Sequence, residues 1–169
     1  EHASELSKGI LHTEISQEYV DSETKRIQNF LNNDVSNGLF GSMRQDMGSI
    51  MNKHLAVFRD QNGMEEALSQ IRSLKEDYLK IGVHDKSKTF NTNLLFTLEL
   101  GGMIECAEAI CISALEREES RGAHTRTDFP ERDDENWLKH ILVQQTSEGP
   151  ITEHSPVKIT DWEPQIRSY

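Results

Sequence analysis

Cysteine, proline and long apolar runs are scarce in this sequence of 169 residues, which has two cysteines and four prolines. Cys106 and Cys111 lie five residues apart in a helix-like stretch, about 140° apart around its axis, so we expect no disulfide between them and take a reducing compartment as the default. No apolar run approaches the roughly 20 residues that cross a bilayer. We therefore expect any membrane contact to be made through a partner.

Basic residues are also scarce, since 18 Lys and Arg face 29 Asp and Glu and give a net charge of -11. Nucleic-acid affinity depends on clustered Lys and Arg that neutralise phosphates. The sequence has no basic run with interleaved aromatic residues. It therefore predicts no nucleic-acid partner.

Motifs for nucleotides and metals are missing. There is neither a Walker sequence nor the spaced glycines of a dinucleotide fingerprint. The seven histidines are scattered, none at the four-residue helical spacing or beside a cysteine, and "RDDEN" lacks the alternating ligands of a calcium loop. The sequence thus predicts no cofactor-binding or metal-binding residue.

Nucleophilic chemistry has no better support. Ser42 and Ser120 lack the context of a nucleophile elbow, and Cys106 and Cys111 look like core thiols. His54 ends an apolar stripe, which favours a hydrogen-bonded packing role over catalysis. The sequence therefore predicts no catalytic residue.

Apolar residues with helical periodicity predict four helices. The first spans 17–33 and the second 39–58, and Asn62 is expected to cap a third over 63–80. The fourth spans 92–119 and is apolar around much of its circumference, as expected for a helix with neighbours on more than one side. Gly101 and Gly102 interrupt its pattern and predict a kink or a close backbone approach.

After Gly122 the helical periodicity stops. "ILVQQT" and "ITEHSPVKIT" flank "SEGP", which predicts a β-hairpin with Gly149 and Pro150 in its turn. Pro156 would confine the second strand to an edge, and the last residues read as an extended tail.

The stretch "ESRGAHTRTDFPERDDENWLKH" holds four basic and several acidic side chains together with two histidines and a tryptophan. Because Arg forms two-pronged bonds to carboxylates, such a stretch suits an ion-pair network against another surface. A solvated loop fits the same composition. The residues alone leave both interpretations open.

Four segments resemble a known family. "ALEREESRGAHTRTDFPERDDENWLKH" is similar to the signature near the end of succinate dehydrogenase and fumarate reductase flavoprotein subunits. "HLAVFRDQNGMEEAL" and "FNTNLLFTLELGGMIECAEAI" resemble earlier helices of these proteins, and the terminal "IRSY" resembles their ending. The resemblance covers 39–169.

The resemblance implies a parent flavoprotein that interconverts succinate and fumarate and passes electrons between covalently held FAD and an iron-sulfur subunit. The flavin-linking histidine, the dinucleotide-binding fold and the dicarboxylate-binding residues of that family lie upstream and have no counterpart here. The chain would therefore hold no cofactor itself. Its expected partners are the flavin-binding portion of the same subunit and the iron-sulfur subunit. Membrane contact would be made only through anchor subunits. The expected location is therefore cytoplasmic, peripheral to the inner face of the membrane.

The expected fold is mainly α, a spectrin-repeat-like three-helix bundle followed by a C-terminal tail that contains a β-hairpin. Residues 1–34 would hold the end of the flavin domain and a connecting helix, 35–122 the bundle and 123–169 the tail. Eight residues are predicted to dock the tail onto the flavin domain, without a chemical role. They are Arg121, His124, Arg126, Asp128, Arg132, Asp133, Trp137 and His140.

Two alternatives remain at this point. L-aspartate oxidase shares the "ESRG" and histidine pattern, but its chain departs soon afterwards, whereas "DFPERDDENWLKH" continues here. The second alternative is a free-standing helical interaction protein that binds a partner through its acidic surface. No signal peptide is visible in the opening residues. Because the chain opens with Glu1 and not with methionine, we expect a trimmed piece of a longer protein, although removal of a short tag or initiator fits the same opening.

Overall fold

The computed structural model describes residues 2–9 and 14–165, so the predicted likeness of "IRSY" lies outside the described residues. The fold is mainly α, as predicted, with two short strand pairs. The helices are α1 (His2–Leu6), α2 (Gln17–Asn32), α3 (Phe40–His54), α4 (Gln61–Tyr78), α5 (Thr92–Glu116) and α6 (Asp134–Trp137), and a 3-10 turn spans Val35–Asn37. The strands are β1 (Phe58–Arg59), β2 (Thr125–Arg126), β3 (Lys139–Thr146) and β4 (Gly149–Pro156).

Helices α3, α4 and α5 pack on one another, and we call their shared interior the helical core. The apolar period of α4 explains its orientation, because Met64, Ala67 and Ile71 repeat at three and four residues and are fully buried. Leu100 and Ile104 of α5 meet them from the other side. At roughly 2 kcal/mol for each fully buried aliphatic side chain, this interior is the main apolar contribution to stability.

Helix α4 begins two residues earlier than predicted, and Asn62 does not cap it. Asp60 is the cap, since its Oδ1 accepts a hydrogen bond from the Gly63 amide at 2.8 Å. Asp128 adds a second acceptor from a distant loop, 3.0 Å from the Gln61 amide. Asp60 and Asn62 are both good capping residues, so the local sequence does not decide which of them caps α4. The contact from Asp128 favours a helix that starts at Gln61, with Asp60 as its cap.

Helix α3 ends at His54 instead of continuing to residue 58. The chain then bends, and β1 pairs in parallel with β2. The amide of Thr125 donates to the carbonyl of Val57 at 3.2 Å, and that of Thr127 to the carbonyl of Arg59 at 2.8 Å. This tertiary pairing, which no local pattern encodes, overrides the helical period.

His54 is half-buried as a residue, with a side chain that is only 8% exposed, but the prediction that it is hydrogen-bonded is wrong for Nε2. Within the described part of the chain this atom has no hydrogen-bond partner, and its nearest acid, Glu66, lies 3.9 Å away. The packing part of the prediction is correct.

Helix α5 passes through Gly101 and Gly102 without a break and ends at Glu116, three residues before the predicted end. The glycine pair reflects a close approach. A Cβ on Gly101 would lie 2.5 Å from the hydroxyl oxygen of Tyr78, which donates to the carbonyl of Thr97 at 3.0 Å. A Cβ on Gly102 would meet nothing within 4 Å.

The two thiols of α5 are free and differ in burial. Cys111 is in the core, as predicted, and burial raises its pKa to about 11. Cys106 is exposed, so its assignment to the core is wrong. The cause is that α5 is apolar on two faces, of which α3 and α4 cover one.

None of the helices within 2–9 and 14–165 combines the length and apolar character of a membrane span.

The predicted hairpin is present as the antiparallel pair β3 and β4, but its turn differs. Ser147 and Glu148 form a two-residue connection, and Gly149 already pairs with Thr146. The hydroxyl of Thr146 donates to the Gly149 carbonyl at 2.7 Å and accepts from the Glu148 amide at 3.2 Å. Gly149 has φ +116°, a left-handed value that favours glycine at the start of β4.

Candidate docking site

Seven of the eight predicted docking residues lie between the end of α5 and the start of β3, and His140 is the second residue of β3; we call residues 117–137 the charged loop. Their exposure differs. Arg126 is 0% exposed, the side chains of Arg121, Arg132 and Asp128 are about a quarter exposed, and His140 is exposed. The segment therefore combines an inner layer with an outer surface.

Arg126 forms the centre of the inner layer. Its Nε and Nη2 donate to the two carboxylate oxygens of Asp128, each at 2.7 Å, and its Nη1 donates to the carbonyls of Leu115 and Arg117 at 3.1 Å. The guanidinium lies 4.8 Å from the ring centroid of Phe129. Because the last carbonyls of a helix lack partners within the helix, Arg126 caps the C-terminus of α5 with a charged side chain.

Glu119 is a second buried charge, 0% exposed, which sequence reasoning missed. Its carboxylate accepts from Arg117 Nη1 at 2.6 Å, from Arg121 Nε at 2.7 Å and from the Asp133 amide at 2.9 Å. Burial alone would raise the pKa of Glu119, but hydrogen bonds from Arg121, the Asp133 amide and Arg117 lower it below its usual value. Glu119 is therefore ionised and joins both ends of the charged loop.

Arg117 was also missed, and it connects α5 to the hairpin. Its Nη1 donates to the Trp137 carbonyl at 2.9 Å and its Nη2 to the Lys139 carbonyl at 2.6 Å. The Arg117 guanidinium lies 5.4 Å and the Lys139 ammonium 4.6 Å from the Trp137 ring centroid. Trp137 is half-buried between these cations and is not part of the helical core.

His124 links the charged loop to β1. Its Nδ1 lies 2.8 Å from Nη1 of Arg59, and its Nε2 lies 3.2 Å from the Arg117 carbonyl. Since arginine only donates, Nδ1 must accept and Nε2 must carry the hydrogen. Burial lowers the pKa of His124, and the charges of Arg59 and the neighbouring arginines lower it further, so the ring is neutral at pH 7.

The outer surface of the charged loop is built on Asp134. Arg132 binds it through two hydrogen bonds of 2.7 and 2.5 Å, and Arg121 Nη2 donates to it at 2.6 Å. These bonds, from Arg132 first and then from Arg121, lower the pKa of Asp134 to about 2. Arg132 also donates to the carbonyl of Gln165 at 2.6 Å, which holds the tail beside the loop.

This arrangement supports structure and recognition. The charged loop contains ion pairs and helix caps. Its histidine, His124, is neutral, and both of its ring nitrogens already have hydrogen-bond partners. Arg126 and Glu119 contact only neighbours within the described residues, whereas Arg132, Asp134 and His140 reach the surface. The docking role of the eight residues stays a prediction.

Comparison with known proteins places this arrangement in a family. Residues 44–169 match the family model described as "Fumarate reductase flavoprotein C-term". The chain is 42% identical over 159 residues to the fumarate reductase flavoprotein subunit of Haemophilus influenzae, covering 92% of this chain and 26% of the relative. It is 37% identical over 125 residues to the succinate dehydrogenase flavoprotein subunit of Rickettsia conorii, covering 73% and 21%.

The fold is also shared with a solved chain. A quinol-fumarate reductase structure with menaquinol molecules matches 96% of this chain and 29% of its own at a TM-score of 0.84 and 31% identity. The chain thus spans about a quarter of the length of the relatives that it matches. On these grounds the chain belongs to the family of fumarate reductase and succinate dehydrogenase flavoprotein subunits, within their C-terminal region.

Proposed function

We propose that this chain is the structural and docking C-terminal domain of a flavoprotein subunit that interconverts succinate and fumarate. The observation that carries the proposal is the family match over 44–169, together with a charged loop whose described contacts are structural. In this proposal the reaction, and the electron transfer to an iron-sulfur subunit, belong to the whole assembly.

The proposal divides the chain as the sequence suggested, into 1–34 at the end of the flavin domain, 35–122 as the bundle and 123–169 as the tail. The packing of α3, α4 and α5 supports a spectrin-repeat-like three-helix bundle for the middle part. Anchor subunits would hold the assembly at the inner face of the membrane, on its cytoplasmic side.

The N-terminus of α4 is poorly suited to a dinucleotide such as FAD, the cofactor that the family implies. A dinucleotide site needs a helix N-terminus that is free to meet a diphosphate. The N-terminus of α4, the helix that follows β1, already carries the carboxylates of Asp60 and Asp128, which would repel a phosphate. We therefore assign FAD to the flavin-binding portion of the parent subunit.

The test uses the intact subunit with Arg121→Ala. This change leaves Glu119 with one fewer arginine in a buried position and removes one of the two arginines that bind Asp134, so we expect a loss of about 2 to 5 kcal/mol in stability or assembly. The expected result is a lower yield of flavin-loaded subunit with unchanged succinate oxidation per bound flavin.

The matched control is Arg44→Ala, because Arg44 is exposed on α3, outside the charged loop. It should change neither yield nor turnover. An Arg121→Ala subunit that assembles normally but loses only its chemical step would overturn the docking assignment. An intact subunit that contains no flavin would overturn the proposed function itself.

A further inference from the structure

Helix α5 carries a largely apolar face that the described residues cover only in part, since Phe40 packs on Phe96 with ring centroids 5.7 Å apart. We call it the outer face of α5, and its apolar residues are Leu95, Phe96, Met103, Cys106 and Ile110, which recur along one side of the helix with the exposed Glu99 among them. Leu95 is 51%, Phe96 44% and Ile110 49% exposed. A helix that is apolar all around is normally buried on every side, so this face is expected to meet another surface.

The outer face of α5 continues into a groove against the hairpin. Ala109, Ile110 and Ser113 form one wall of the groove, and Ile141 and Val143 of β3 form the other. Its cavity volume is about 440 Å³, enough for a few side chains of a partner segment. Arg59, Arg117 and His124 also line it and supply polar groups beside these mainly apolar walls.

Arg59 lacks the acid that the other arginines of this region have. Its Nε donates to the Ala56 carbonyl at 2.7 Å and its Nη1 to His124 at 2.8 Å, but no carboxylate within residues 2–9 and 14–165 lies within 4.0 Å of it. Arg117, Arg121, Arg126 and Arg132 each pair with a carboxylate.

A half-buried guanidinium without a counter-charge is unfavourable, and burial lowers the pKa of Arg59 accordingly. In a chain with a net charge of -11, acids are abundant elsewhere but absent from this position. The groove is therefore complementary to an apolar segment that brings its own carboxylate.

The matched relatives supply a source for this segment, because about three quarters of their length lies outside the match. We propose that the outer face of α5 and the adjoining groove bind an apolar segment of the flavin-binding portion of the same subunit, with a carboxylate of that segment paired to Arg59. This inference rests on the proposed function. A second copy of this chain is disfavoured because two chains of charge -11 repel each other.

The first experiment measures thiol accessibility in the intact, flavin-loaded subunit. Maleimide labelling is followed by mass spectrometry of the peptides that contain Cys106 and Cys111. Ser69→Cys, on the exposed side of α4, is the reference for a free thiol. If the outer face is covered, Cys106 reacts only on local opening, at a rate at least about 100-fold below that of Ser69→Cys.

Labelling of Cys106 at the Ser69→Cys rate in a flavin-loaded, active subunit would overturn the inference and leave the proposed function intact. Protection that disappears on dilution would also overturn it, since it would identify a second copy as the occupant. A protected Cys106 in a subunit without flavin would instead contradict the proposed function.

The second experiment tests the carboxylate. Arg59→Gln removes the charge, and we expect Cys106 labelling to rise by about tenfold or more, whereas Arg59→Lys should retain most of the protection. Arg44→Gln removes an exposed charge from α3 and should change nothing. Unchanged protection in Arg59→Gln would show that no acid of the partner pairs with this residue.

A third variant avoids the internal contacts of Arg59. Ile110→Glu places a carboxylate in the groove at a position that is 49% exposed, so the helical core is left intact. The new acid both supplies a partner for Arg59 and repels the incoming carboxylate, so Cys106 should become reactive while the circular dichroism of the helices is retained. Continued protection of Cys106 in this variant would contradict the proposed occupant.

Discussion

The helical core and the charged loop both exclude water, but they do so with opposite chemistry. In the core nearly all fully buried side chains are apolar, as with Met64, Ile71 and Ile104, and Thr97 is a polar exception. In the charged loop the fully buried side chains are Arg126 and Glu119, each surrounded by bonds to fixed partners. A core of aliphatic groups tolerates small shifts, whereas a buried ion requires every partner in position.

The comparison predicts its largest effect for Arg126→Ala. This change removes the two hydrogen bonds that Asp128 receives from Arg126 and the donor to the Leu115 and Arg117 carbonyls, so the free energy of unfolding should fall by about 3 to 5 kcal/mol. Urea unfolding followed by circular dichroism measures it. Arg44→Ala, an exposed control, should stay within about 0.5 kcal/mol, and an equally small effect for Arg126 would remove the distinction between the two regions.

In the helical core, Gly101→Ala tests the notch that holds Tyr78. The added methyl group would lie 2.5 Å from the Tyr78 hydroxyl oxygen, so we expect a loss of about 1 to 3 kcal/mol in thermal or urea unfolding. Gly102→Ala is the matched control, because its Cβ enters open space and should stabilise α5 by about 0.5 to 1 kcal/mol. Equal effects of the two changes would disprove the close approach.

Asp60→Ala tests the junction between the two regions. Loss of the cap on the Gly63 amide should lower the free energy of unfolding by about 1 kcal/mol, measured by urea unfolding. Asn62→Ala, at the position that the sequence alone suggested, should change it by less than about 0.5 kcal/mol. The reverse order would restore the prediction made from sequence.

The smallest expected effect is a difference in acid sensitivity. The hydrogen bonds from Arg126, and then that of the Gln61 amide, lower the pKa of Asp128 from 3.8 to about 2. Because the folded-state pKa is depressed, the contribution of Asp128 is complete above about pH 5 and is lost as the pH falls toward 2.

The stability gap between wild type and Asp128→Asn should therefore shrink by about 1 kcal/mol over this window, since solvent screens a side chain that is 29% exposed. Urea unfolding at several pH values measures the gap. The gap for Ile104→Ala, a fully buried core position, should stay constant at about 2 to 5 kcal/mol. A gap for Asp128 that does not change with pH would contradict its low pKa.

The same contrast explains which features could be predicted from sequence. The period of Met64, Ala67 and Ile71 reports burial on one face of a helix, and the structure confirms it. The hairpin was found, but its turn was misplaced because Gly149 serves at a strand start instead of within the connection. Predicted helix ends are wrong where a distant segment determines them. Residues 58–59 fit the helical pattern of α3, but they pair with β2 instead.

The charged loop resisted prediction for a different reason. Arg126 and Arg132 look alike in sequence, but one is fully buried and the other reaches the surface. Burial of a charge depends on partners brought together by the fold, here the end of α5 and the carboxylate of Asp128, and no periodic pattern announces it. Resemblance identified the stretch, whereas only the structure shows that Glu119 and Arg117 hold it together.

The pairing of β1 with β2 has a consequence for the order of folding. The Thr127 hydroxyl and the Arg59 carbonyl that it contacts are 68 residues apart, with α4 and α5 between them. Closing so long a loop costs conformational entropy that two short strands do not recover alone, so docking of α4 on α5 must come first. We expect this ladder to form last and open first, and the amide of Thr127 to exchange with deuterium sooner than those within α4.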